Sequence, residues 1–339
     1  MAGNGPRRNV TMADVAKRAN VSITSVSHVL NRTRPVSAST ERSVLAAVAD
    51  TGYIPDHVVR SLRHTGSRTI GLAMSAISNT YFSEVVRSAE QALSREGYSL
   101  LLADTHDEEV QEMRAVNELL SRRVDAILLA PSAHPDRALD HAARQQVPVV
   151  LIDRTTEHRL DQVAAENVNA TATLVTHLAD LGHRHIAMIG GRHGLSTTVE
   201  RLMGYRRGLR QARLRFNNDL MTTGDSTVDG GRHAALDLLS SQRPPTAVVV
   251  GNNAMTIGVM HAARDRGVSI PADLALVGFD DFEWADLFHP RLTVMGQPLQ
   301  AMGEQAAEML LSRLRHPSTP ARRVIMQPQL IHRESCGCM

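Results

Sequence analysis

The sequence predicts an all-α helix-turn-helix headpiece followed by a two-lobed α/β core, and three observations carry that expectation. Between Thr11 and Gly52, apolar residues recur at helical spacing, in short segments separated by polar caps and breaks. After Arg68, short apolar runs alternate with amphipathic helical stretches, the texture of parallel sheets covered by helices on both faces. That texture begins again at His185, which implies two similar lobes.

In the headpiece, Met12, Val15, Ala16 and Ala19 form one helical face behind Thr11, a suitable N-cap. Asn20, Val21 and Ser22 break the pattern, and Ser22 can cap a second helix, Ile23 to Leu30, with Val26, Val29 and Leu30 facing inward. Two short helices about a tight turn make a helix-turn-helix. A third helix is expected from Ser39 to Thr51, with Val44, Leu45, Ala47 and Val48 apolar and Gly52 as its stop. Thr24, Ser25, Ser27 and His28 then lie on the outward side of the second helix, where hydroxyls and an imidazole can hydrogen-bond base edges. Ile23 can touch a thymine methyl group.

Charge separates along the chain in the same way. Residues 1–68 hold ten Lys or Arg against four acids, a charge of +6, which leaves −4 for the rest of a chain whose formal net charge is +2. A basic head on a mildly acidic body suits a polyanion-binding module whose body is not itself drawn to phosphate. No run of about eighteen apolar residues occurs, and MAGNGPRRNV lacks the apolar stretch of a secretory signal, so a cytoplasmic location with no membrane partner is expected. Cys336 and Cys338 are expected to form a free tail, their spacing being unsuited to an unstrained disulfide and too sparse for a four-ligand metal site.

In the first lobe the expected elements are TIGLAM, a helix about Phe82 to Glu96, YSLLLAD, a helix from Glu108, VDAILLAP, a helix from Asp136 and VPVVLID. In the second they are HIAMIG, a helix from Glu200 to Gln211, LMTTGD, a helix from Gly230, AVVVGN, a helix about Met255 to Arg266 and LALVGFDD. A ligand cleft is expected between the lobes at the C-terminal ends of the strands.

From Thr11 to beyond Leu72, the segments TMADVAKRANVSITSVSHVLNRTRPVSAST, TGYIP and VVRSLRHTGSRTIGL resemble the headpiece and hinge of the lac repressor (LacI/GalR) family. ISNTYFSEVVRSAEQAL, RRVDAILLAPS, VPVVLIDR, LGHRHIAMIGG, STTVERLMGYRRGL and ALVGFDDFEWADLFHPRLTVMGQP extend the resemblance over the body, as a periplasmic-binding-protein-like core. It implies a DNA-binding headpiece at 1–54, a hinge helix and linker at 55–68, and an effector-binding and dimerisation domain at 69–339. In that domain, lobe 1 takes about 69–166 and 297–326, and lobe 2 about 167–296 and 327–339. The helix from Gln300 to Leu314 would return to the first lobe.

The resemblance also places functional residues. Ile23 and Thr24 stand at the family's main specificity pair, a pairing similar to that of its purine-repressor type, with Ser25 beside them and His28 one turn on. Thr11, Ser22 and Asn31 stand at phosphate- or base-contacting positions, with Arg32 next in line. Leu62 falls where the family wedges a leucine between base pairs at the operator centre, with Arg63 on the groove wall, an arrangement that exchanges unstacking for wider contact with bent DNA. For the effector, Ser75, Tyr81, Phe82 and Asp153 come from the first lobe, and Arg201, Asn252 and Asp280 from the second. An Arg fork with carboxylate acceptors suits a polyhydroxylated, sugar-like ligand more than a purine or nucleoside.

Two departures bear on that ligand. Gly224-Asp225 is followed by Ser226 where many members carry an aromatic residue, so stacking would fall to Trp284 or Phe82. Asn253 replaces the family's usual Asp beside Asn252. An enzyme is disfavoured, because no GxSxG, HExxH, Walker or GxGxxG motif is present, and no cofactor is implied. A transport binding protein would need export and would carry no headpiece. The remaining alternative is an effector-independent DNA-binding protein whose body only dimerises. A palindromic operator read by two headpieces implies a homodimer, and the absence of a heptad extension after LIHRES points away from a tetramer.

Overall fold

The computed structural model describes residues 10–31, 34–53, 66–75 and 80–338. The chain divides into two compact units, Met1–Ser67 and Arg68–Met339.

The first unit holds helices α1 (Met12–Ala19), α2 (Ile23–Asn31) and α3 (Ala38–Thr51). Thr11 and Asp14 form a reciprocal capping box at the start of α1: the Thr11 N–H donates to Asp14 Oδ2 at 2.8 Å, and the Asp14 N–H donates to Thr11 Oγ1. Asn20 closes α1 in the left-handed conformation, and the Ser25 N–H donates to Ser22 Oγ at 3.0 Å to start α2. Gly52, at φ +65°, ends α3 as a left-handed cap that a side chain would strain. Val15, Ala16, Val26, Val44 and Ala47 form the core together with Tyr53, which the helical pattern did not single out. Of the four apolar residues noted in α3, Val44, Ala47 and Val48 pack in the core, while Leu45 is 52% exposed. So small a core leans on its caps. Thr11→Ala is expected to cost about 1 kcal/mol, read in the full chain as roughly fivefold faster hydrogen exchange of the α1 amides.

The second unit is built on two six-stranded sheets with the same internal order. The first contains β1 (Thr69–Ala73), β2 (Ser99–Ala103), β3 (Ala126–Leu129), β4 (Val149–Asp153), β5 (Asp161–Ala165) and β11 (Arg323–Met326), all parallel, in the order β11-β5-β4-β3-β1-β2. The second contains β6 (Ile186–Gly190), β7 (Met221–Thr223), β8 (Ala247–Val250), β9 (Ala275–Phe279), β10 (Thr293–Gly296) and β12 (Gln329–Ile331), ordered β12-β10-β9-β8-β6-β7, with only β12 antiparallel. The chain crosses between the sheets three times, after β5, after β10 and after β11.

Helices cover both faces of each sheet, which is why the central strands β3, β4, β6, β8 and β9 are buried along their whole length. Helices α4 (Ser83–Arg95) and α11 (Leu299–Arg315) cover one face of the first sheet, and α5 (Glu109–Ser121) and α6 (Asp136–Arg144) the other. On the second sheet, α7 (Val168–Asp180) and α8 (Ser196–Gln211) lie opposite α9 (Val228–Leu239) and α10 (Asn253–Arg266). At Gly204 in α8, a Cβ would meet the Val168 carbonyl oxygen, so the close packing of α7 on α8 requires glycine there. Helix α8 begins four residues earlier than the sequence pattern suggests, and α11 packs on the first sheet as expected.

Cys336 and Cys338 do not form a free tail: they are paired, and Cys336 is buried in the core of the second lobe. Ser335 sets that segment against the sheet, its Oγ donating to the Leu276 carbonyl at 2.6 Å and accepting from the Thr293 N–H at 2.8 Å. Among the described residues, no helix is long and apolar enough to cross a membrane.

Candidate effector cleft and headpiece face

The C-terminal ends of the strands in the two lobes face one cavity of about 480 Å³, within the size range of small-molecule sites. Ser75, Tyr81, Phe82 and Asp153 line it from the first lobe, and Arg201, Asn252 and Asp280 from the second, so seven of the eight residues singled out for a ligand are brought together. Trp284 is not. It sits 52% exposed in a short 3-10 turn, Glu283–Asp286, away from the cavity wall, so the aromatic surface of the cleft comes from Tyr81 and Phe82.

The two lobes repeat each other at the site. Asp153 ends β4 and Asp280 follows β9, which occupy matching places in the two sheets, and both residues are buried and left-handed, at φ +69° and +78°. After β2 and β7, also matching strands, Asp107 at φ +56° and Asp225 at φ +49° repeat the device. A non-glycine residue held this way costs on the order of 1–3 kcal/mol, and such strain gathers where a side chain must be aimed. Here it turns four carboxylates towards one space.

Arg201, in the second turn of α8, is buried and fixed on several sides. Its Nε donates to Asn167 Oδ1 at 2.8 Å, one terminal nitrogen donates to the Gly251 carbonyl, and the other lies 3.9 Å from Asp280 Oδ1. The guanidinium stacks on Phe279, 3.9 Å from the ring centroid. Gln297 donates to Asp280 Oδ1 at 2.7 Å. Asn252 caps α10, accepting from the Met255 N–H at 2.8 Å, and its amide donates to the Ser226 carbonyl at 3.3 Å.

Strand-end reasoning missed a second cluster, in which Arg154 makes a two-pronged pair with Asp107 at 2.6 and 3.1 Å and approaches Asp153 at 3.4 Å. Ser75 Oγ donates to the same Asp107 at 2.8 Å. Arg192 also went unread. From the second lobe it donates to the His106 and Asp107 carbonyls of the first at 3.2 and 3.3 Å, and to Asp225 at 3.2 Å, so one side chain bridges the cleft mouth. The doublet Asp153-Arg154 and the acids after β2 were the available sequence signals.

These charges respond to burial differently. Burial raises the Asp153 carboxyl to about 6, against the pull of Arg154 and Arg201, with Asp280 and Asp107 pushing further upward. Burial also raises Asp280, opposed by Arg201 and by hydrogen bonds from Gln297, the Asn253 backbone and Tyr81. Tyr81 is raised well above its ordinary value by burial, then by Asp280 and Asp153. At Asp107, burial is outweighed by Arg154, and the carboxyl is held low. The cleft therefore offers buried carboxylates of differing basicity beside two buried guanidinium groups, Arg154 and Arg201.

On the headpiece, Ser22, Ile23 and Thr24 are exposed at the start of α2, Ser25 and His28 are half-buried, and Thr11 is exposed at the start of α1. Lys17, Arg34 and Arg42 are also exposed, and Arg18 pairs with Asp50 at 2.7 Å. Asn31 ends α2. The Asn31 side chain and Arg32, Leu62 and Arg63 lie outside the described residues.

The family model for bacterial regulatory proteins of the lacI family matches residues 11–56, and that for a periplasmic binding protein-like domain matches residues 175–336. The HTH-type transcriptional repressor PurR of Vibrio cholerae serotype O1 (strain M66-2) is 34% identical over 327 residues, covering 96% of this chain and 97% of that protein. The chain belongs to the LacI family. Among solved structures, the lac repressor dimer bound to operator and the anti-inducer ONPF superposes with a TM-score of 0.86 at 27% identity, over 97% of this chain and 99% of that one. The complex of the transcriptional regulator CelR with cellobiose gives 0.74 at 28% identity, over 96% and 99%. As a LacI-type protein, this one is a DNA-binding transcriptional repressor and not an enzyme.

Proposed function

We propose that the protein represses transcription in the cytoplasm as a homodimer on a palindromic operator, with operator affinity set by a small hydroxylated effector, a sugar or sugar derivative, in the inter-lobe cleft. The observation that carries this reading is the pair of buried, left-handed carboxylates, Asp153 and Asp280, at matching strand ends around Arg201. Carboxylates accept from hydroxyls at any angle around a ring, and a guanidinium fork donates to adjacent oxygens. Ser75, Asn252, Tyr81 and Phe82 complete the contact set, with the two aromatic rings on one side of the ligand only.

Residues 1–54 would read the operator and 55–68 would form the hinge. In this reading, Ile23, Thr24, Ser25 and His28 face base edges, while Thr11, Ser22, Asn31 and Arg32 hold the phosphate backbone. Leu62 from each subunit, with Arg63 beside it, opens the minor groove. Leu62→Ala is expected to weaken operator binding at least tenfold while leaving random-sequence DNA binding within about twofold, since non-specific binding rests on phosphate charge. Equal losses on both DNAs in salt-matched titrations would remove the wedge.

A purine effector is the second reading, favoured by the 34% identity to a purine repressor. The two separate on one experiment: fluorescence anisotropy of a palindrome selected from a random pool, titrated with pentoses, hexoses, nucleosides and purines. A sugar that shifts affinity 5- to 150-fold, the usual range of such coupling, supports the first reading. A response to purines alone moves the assignment to the second. No response to any ligand leaves an effector-independent DNA-binding dimer.

A further inference from the structure

We propose that the C-terminal Cys336-Gly337-Cys338 segment, once reduced, forms with His177 and His332 a site for a thiophilic divalent metal ion, with Zn²⁺ as its model occupant. The three outer donors come from separate places in the chain: His177 from the last turn of α7, His332 from the residue after β12, and Cys338 from the C-terminal segment. Cys338 Sγ lies 3.8 Å from His177 Nε2 and 4.0 Å from His332 Nδ1, and all three donor atoms fall within 4.8 Å of one another. With bonds of about 2.3 Å to sulfur and about 2.0 Å to nitrogen, a tetrahedral zinc site has sulfur-to-nitrogen edges of roughly 3.5 Å. Those two edges are thus nearly in place before any ion binds, and small rotations of the two rings close the third.

Cys336 supplies the fourth donor. It is buried, and Thr293 Oγ1 donates to its sulfur at 3.2 Å. The Ser335 anchor fixes the same segment to the sheet, so both sulfurs are presented on a rigid support. In the structure the two sulfurs are joined, which is the metal-free, oxidised form of the same cluster. A thiol reductant opens it: two reductant thiols give up two electrons and two protons, the sulfur–sulfur bond breaks to two thiols, and the reductant leaves as its own disulfide. The ion then replaces the two thiol protons, which pass to solvent. Two thiolates and two imidazoles are ligands for zinc and softer ions and poor ones for calcium or magnesium. His332 is exposed and Cys338 half-buried, which leaves a way in, and none of the four lines the inter-lobe cleft.

The test uses the full chain, reduced with a phosphine and freed of metal. Co²⁺ added as a spectroscopic probe is expected to bind one ion per chain and to show intense tetrahedral ligand-field bands with a thiolate-to-metal charge-transfer band. Zn²⁺ should then displace it. His332→Ala, which removes an exposed side chain, and Cys338→Ser should each weaken Zn²⁺ binding, measured against a chromogenic chelator, by more than the 10- to 100-fold that loss of an outer-shell partner costs. The oxidised protein should lose the charge-transfer band. Equal Zn²⁺ affinity in wild type and both variants, or a Co²⁺ complex without that band, would overturn the site and place any bound metal on other histidines.

Discussion

Replacing Arg201 with alanine is expected to abolish the effector response, with operator affinity in the absence of effector staying within about twofold of wild type. The guanidinium holds Asn167, the Gly251 carbonyl and Asp280 together and stacks on Phe279. Its removal leaves the buried Asp280 carboxylate without its opposing charge, a change that costs roughly 3–5 kcal/mol when one member of a buried pair is lost. The second lobe should melt earlier, and effector binding measured by calorimetry should weaken at least 100-fold. Arg201→Lys keeps the charge and loses the fork, so it should recover part of the stability and little of the effector affinity. A ligand response unchanged in both variants would detach Arg201 from the effector and leave it a purely structural link.

The legibility of the fold and of the site in the sequence differs for physical reasons. Strands such as β3 and β8 are uninterrupted apolar runs because both sheet faces are covered, and a run of that kind is read directly. Helix α7 was not read: its VNATATLVTHLAD mixes β-branched and small residues buried on several sides, which blurs an amphipathic stripe. β5, Asp-Gln-Val-Ala-Ala, carries buried polar side chains that its own sequence does not explain. Asp161 is matched there by Arg313, 152 residues away, at 2.9 Å.

The same distinction runs through the cleft. Asp153, Arg201 and Asp280 could be found because each follows a strand or leads a helix in a recognisable signpost. For Arg154 and Asp107 the sequence signalled the separate members but not their pairing, since they are 47 residues apart and meet only when β2 and β4 stand in one sheet. Trp284 was attractive for its chemistry alone, and the 3-10 turn carries it out to solvent. Cys336 and Cys338 looked idle because a sequence does not disclose that His177, 161 residues from Cys338, lies beside them.

Asp153→Asn is expected to make the protein more stable and less responsive. Burial holds the native carboxyl at about 6, above the value of about 3.9 for a free aspartate. Between those two values the folded state binds more protons than the unfolded state, so this group's contribution to stability is whole below about pH 4 and is lost as pH rises through 6. At about 1.4 kcal/mol per pH unit, the loss is roughly 2–3 kcal/mol by pH 7.5. Asparagine keeps the shape without the charge and escapes that loss, although the 3.4 Å approach of Arg154 loses its attraction, so a net gain of about 1–2 kcal/mol is expected. Denaturant unfolding at pH 5 and pH 7.5 should show the gain chiefly at the higher pH. Effector affinity runs the opposite way: wild-type binding should weaken as the pH falls below 6 and the acceptor is protonated, while the asparagine variant should bind weakly and evenly across that range. A wild-type affinity flat from pH 5 to 7.5 would mean that the Asp153 carboxylate does not meet the ligand, and the strained turn would then serve the fold of the first lobe alone.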